Sequence, residues 1–123
     1  MKKSEVLKTA KKMFYRFEII PEATEAEKEY NKRIFEIKGR PEEYRAFYNK
    51  CLTPRYEIYN DSFCLEYCAP LIFYTISQLQ MYITIQKAIE EANENCNFER
   101  VDELYLLEEN YINSIRPPEV YPA

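Results

Sequence analysis

Four cysteines, Cys51, Cys64, Cys68 and Cys96, are the side chains that could bind a metal or form disulfides. Their spacing lacks the paired two-residue-gap knuckles of a structural zinc site, although a four-thiolate site stays geometrically possible. Cys64 and Cys68 stand one helical turn apart, where a bond between them would distort the helix. Any disulfide would therefore join one of them to Cys51 or Cys96. Free, buried thiols acting as small apolar groups are the preferred reading. A nucleophilic thiol needs a base or a cationic neighbour. The sequence holds no histidine, which removes both the usual base and the commonest metal ligand.

Carboxylates occur as adjacent pairs, Glu42-Glu43, Glu90-Glu91, Asp102-Glu103 and Glu108-Glu109. Adjacent residues on a helix point apart, so such pairs solubilise a surface rather than share a proton. The single glycine, Gly39, cannot build a phosphate-cradling loop. No catalytic residue, metal or cofactor is assigned, and a non-enzymatic protein is expected.

Charge distribution is more informative. Residues 1–55 carry 14 Lys+Arg against 9 Asp+Glu, and residues 56–123 carry 3 against 12, beneath a net charge of −4. Lys8, Lys12 and Arg16 recur at steps of four with Lys11 alongside, a spacing that predicts one cationic helix face. That face suits an acidic protein, the acidic half of a second copy, or nucleic-acid phosphates; its bland alternative is a solvated surface. Overall acidity and the lack of a recognition motif disfavour nucleic acid.

These residues need elements to position them. Val6, Leu7, Ala10, Met13, Phe14 and Phe17 predict a helix from Ser4, its N-cap, to Phe17. Thr24 with Glu27 is a capping box opening a second helix through Ile37, and Gly39 fits its C-terminal cap. Pro41 with Glu42 and Glu43 reads as the first turn of a third helix, with Tyr44, Phe47, Tyr48 and Cys51 on its apolar side. Thr53-Pro54 opens a short segment to Tyr59, and Asn60-Asp61-Ser62 a turn. Leu71 to Ala92 carries two apolar stripes and predicts a central helix that begins, or kinks, at Pro70. After a polar loop at Asn93 to Asn97, a last helix uses Val101, Leu104, Tyr105, Tyr111, Ile112 and Ile115, with Glu108 as a charged intrusion. Pro117-Pro118 stops it.

At 123 residues, one domain spanning 1–123 is expected. The glycine scarcity argues against tight strand hairpins. The expectation is an all-α fold, an irregular bundle of five or six helices around a central helix at about 71–92. Residues 117–123 form an extended proline-containing tail, in which Pro118 and Tyr121 could contact a partner. Met1-Lys2-Lys3 is not followed by a continuous apolar run, and Leu71 to Ile85 is too short and polar to span a bilayer. A cytoplasmic location without membrane association is expected. Composition rich in Tyr, Ile, Glu and Lys suits a small viral or mobile-element accessory or virion protein. The functional expectation is a structural or interaction protein that self-associates or binds a protein. The alternative is a nucleic-acid-binding accessory protein using Lys8, Lys11, Lys12 and Arg16.

Overall fold

Short strands are interspersed among the helices of this chain. The computed structural model describes residues 2–38, 52–60 and 69–118. In order these form α1 (Lys3–Met13), β1 (Arg16–Ile20), α2 (Glu25–Lys38), β2 (Arg55–Tyr59), β3 (Leu71–Phe73), α3 (Ile76–Glu94) and α4 (Phe98–Ser114). The strands make one antiparallel sheet in the order β1-β2-β3.

The all-α bundle expectation is therefore corrected. Four helices and a three-stranded sheet occupy the described residues: the end of the first expected helix and the start of the expected central helix are strands, as is the short segment Arg55–Tyr59. Glycine scarcity misled because it bears only on tight hairpins. Here β1 and β2 are joined through residues 21–54, which include α2, and β2 and β3 through residues 60–70, so neither connection is a two-residue turn. The first helix stops at Met13 rather than Phe17, because Phe14 turns extended and Phe17, Ile19 and Ile20 pair with Ile58, Tyr56 and Arg55. Aromatic and β-branched residues fit such a pleated surface well. Ser4 lies inside α1, whose N-cap is Lys2. The central helix begins at Ile76, and Leu71–Phe73 before it are a strand.

The Thr24–Glu27 capping box holds, and the structure adds further helix caps. At the start of α2 the Glu27 N–H donates to Thr24 Oγ1 (3.2 Å), while the Thr24 N–H (3.2 Å) and hydroxyl (2.9 Å) donate to the Glu27 carboxylate. Thr75 caps α3, its side chain accepting from the Gln78 N–H at 3.1 Å, and the Gln78 side chain accepts from the Tyr74 N–H at 2.8 Å. The connection from α3 to α4 is a Schellman turn: Asn97 N–H donates to Ala92 O (2.9 Å) and Cys96 N–H to Asn93 O (3.1 Å). Asn97 then caps α4 by accepting from the Arg100 N–H at 3.2 Å. Gly39, the 41–51 helix and Asp61-Ser62 lie outside the described residues.

Phe17, Ile58, Tyr56, Leu71 and Phe73 share one face of the sheet, as their alternation and register require. Against it pack Val6 and Ala10 of α1 and Leu79, Tyr82 and Ile83 of α3, forming the main core. The Tyr82 ring lies 5.0 Å from that of Phe73 and 5.7 Å from that of Phe14. A second cluster, Ile85, Ile89 and Ala92 with Val101 and Leu104, joins α3 to α4. Thus α3 is buried on two sides, between α1 with the sheet and α4.

Candidate interaction surfaces

The cationic face is built on α1. Burial of Val6 and Ala10 fixes the rotation of the helix, which leaves Lys8, Lys11 and Lys12 exposed on its other side. None of the three takes part in an ion pair among the described residues. Arg16, expected on the same helix face, stands instead on β1. Its guanidinium pairs with Glu18 and lies 5.6 Å from the centre of the Tyr59 ring. The structure therefore brings three of the four cations together and commits the fourth to the sheet.

The anionic surface is the α3–α4 hairpin. Between residues 76 and 114 it carries Lys87 and Arg100 against eight carboxylates. Glu90, Glu91 and Glu94 lie toward the C-terminal end of α3, and neither helix has a basic residue in its last turn. Carboxylates at a C-terminal end oppose the helix dipole, each at a cost of roughly 0.3–1 kcal/mol when exposed.

Side chains on α4 add an apolar component. Phe98 (63% exposed), Tyr105 (52%), Leu106 (60%) and Leu107 (50%) make up half of the exposed large apolar residues among those described. Sequence periodicity assigned Tyr105 to the buried stripe; in the structure it is exposed. The buried stripe is narrower and holds Val101 and Leu104, with Tyr111 and Ile112 partly covered. Phe98, Tyr105 and Ile112 recur at steps of seven, forming a row along one flank of α4. The signal available for this row was a run of large apolar residues wider than one helix face can bury.

An open cleft of about 430 Å3 runs between the end of α1 and the end of α3. Met13, Phe14 and Ile89 supply its apolar lining, and Gln86, Glu90 and Glu94 line the α3 side. Gln86 also donates to the carboxylate of Glu108 at 2.5 Å, which gives the charged intrusion in α4 its partner. Tyr82, whose ring packs on that of Phe14, is 1% exposed, and its hydroxyl pKa is pushed up to about 12. Burial is the main cause; the Asn60 side-chain hydrogen bond acts the other way, and the Glu108 charge adds to the rise. Tyr111 donates its hydroxyl to Gln78 O at 3.2 Å and its pKa is likewise raised by burial.

Cys96 is an exposed free thiol in the α3–α4 turn. Cys51, Cys64 and Cys68 lie outside the described residues, as does Tyr121; Pro118 is exposed after the end of α4. Among the described residues no three or more metal-ligating side chains converge, and no helix is long and apolar enough to cross a membrane. Compared with family models, curated proteins and solved structures, the chain matches none.

Proposed function

We propose that this is a non-enzymatic interaction protein that associates with a second copy of itself or with another protein. The observation that carries the reading is α4, an acidic helix with Phe98, Tyr105, Leu106 and Leu107 facing water. Phe98 and Tyr105 share one flank of α4, with Leu106 and Leu107 farther round it, and apolar side chains within a charged rim gain free energy when a partner covers them. The lysines of α1 supply the opposite charge, which steers and orients docking. Nucleic acid is the less favoured ligand: with Arg16 held by Glu18, the free cationic face shrinks to Lys8, Lys11 and Lys12 on a net-anionic chain.

Size exclusion with light scattering at two ionic strengths tests self-association. An assembly above monomer mass at low salt, declining as salt rises, is expected. Tyr105→Ser with Leu106→Ser should weaken it. A monomer at every concentration and salt overturns self-association, and a salt-sensitive shift of DNA or RNA lost on reversing the three lysines would favour the nucleic-acid reading instead.

A further inference from the structure

Asp102 and Glu109 stand two turns apart on α4, about 10 Å along its axis, and both are exposed. Helical spacing places Phe98 and Tyr105 on one side of this pair and Leu106 on the other, about a third of a turn round from the buried Val101 and Leu104. Neither carboxylate is in an ion pair among the described residues. The face is thus an exposed apolar strip with two carboxylates along its middle, and that order restricts what can cover it.

Resting on the reading of this chain as an interaction protein, we propose that this face receives an amphipathic helix of another protein, one that sets two Lys or Arg side chains two turns apart between apolar residues. Covering Phe98, Tyr105 and Leu106 takes Asp102 and Glu109 out of water with them, and a carboxylate covered without a cation is strongly destabilising. A neutral apolar surface therefore fits poorly, and nucleic acid or an acidic surface adds repulsion. A helix suits the geometry because its own residues recur at the same two-turn interval, so its cations meet both carboxylates while the apolar residues beside them reach Phe98, Tyr105 and Leu106. The eight carboxylates of the α3–α4 hairpin extend the attraction beyond the contact itself. A second copy offers less. Its α1 exposes Lys8, Lys11 and Lys12 but no large apolar side chain, and on α2, beside the exposed Tyr30, Lys28 and Arg33 are paired with Glu22, Glu25 and Glu29.

Fluorescence anisotropy with three labelled synthetic helices tests this: one with lysines at steps of seven flanked by leucines, one of the same composition in shuffled order, and one with glutamate in place of each lysine. The wild type should bind the lysine helix in preference to the other two. Asp102→Lys with Glu109→Lys, at exposed sites and checked for folding by circular dichroism, should weaken that binding at least about tenfold and bind the glutamate helix instead. Tyr105→Ser with Leu106→Ser, which keeps both carboxylates, should also weaken it. Equal binding of the shuffled helix, or a charge-reversed chain that binds the lysine helix as the wild type does, overturns this face and leaves the interaction reading standing. If the chain alone forms an assembly that the charge reversal abolishes, a second copy occupies the face; that overturns the inference but keeps self-association. A chain that binds none of the helices and is monomeric at every concentration removes this inference and the interaction reading together.

Discussion

Glu18 and Glu57 stand directly opposite each other across the β1–β2 pair. Like charges in that position repel, and each is held by an arginine two residues away on its own strand: Arg16 pairs with Glu18, and Arg55 Nε lies 3.1 Å from Glu57 Oε2. The two pairs are unequally covered. Arg55 and Glu57 side chains are 18% and 12% exposed, those of Arg16 and Glu18 51% and 31%. Removing Arg55 leaves a nearly buried carboxylate facing another, so Arg55→Met is expected to cost about 1–3 kcal/mol. Arg16→Met, at the exposed pair, should cost under about 1 kcal/mol. Urea unfolding of both variants checks the order; equal losses would mean that burial does not distinguish the two pairs.

Cys96 has φ 55°, the left-handed conformation that the Schellman turn requires at this position and that favours glycine. A side chain there costs roughly 1 kcal/mol. Cys96→Gly should therefore raise the thermal midpoint, whereas Cys96→Val should lower it. A glycine variant less stable than wild type would mean the thiol makes a contact that outweighs the backbone strain.

The Thr24 N–H and hydroxyl hold the Glu27 carboxyl below its ordinary value of 4.5. A depressed folded-state pKa gives stability that is present above the unfolded value and lost as pH falls through the folded one. In an NMR titration Glu27 should protonate below pH 4.5 in the wild type and closer to it in Thr24→Ala. A wild-type Glu27 that titrates as a free glutamate would show the capping box is not formed in solution.

Tyr82 gives the alkaline counterpart. Burial raises its pKa from 10.0 to about 12, so its contribution is intact below pH 10 and is lost as the unfolded chain ionises between those values. The loss is on the order of 2 kcal/mol. Tyr82→Phe keeps the ring contacts with Phe14 and Phe73 and removes the ionisable group. Urea midpoints measured from pH 9 to 11.5 should fall more steeply in the wild type than in the variant; parallel slopes would exclude Tyr82 as a cause.

Much of this protein is written in short-range chemistry. Thr24 with Glu27, the polar turn before Phe98 and the prolines after Ser114 mark helix ends because a helix closes its hydrogen bonds four residues apart, and both partners lie within one glance along the chain. Thr75 with Gln78 carries the same signature and places the start of α3, although the apolar run from Leu71 suggested an earlier one. The imbalance of charge between the two halves is likewise a property of the sequence.

Tertiary structure decided the rest. A five-residue run such as Arg16–Ile20 is compatible with the end of a helix or with a strand, and its partner, Arg55–Tyr59, arrives only after α2 and the connections around it. Pairing at that distance leaves no local spacing to read, and it took Arg16 away from the lysines of α1. Packing also decided which apolar residues of α4 are covered: a single helix face can reach α3, so Val101 and Leu104 are buried while Phe98, Tyr105, Leu106 and Leu107 remain in water.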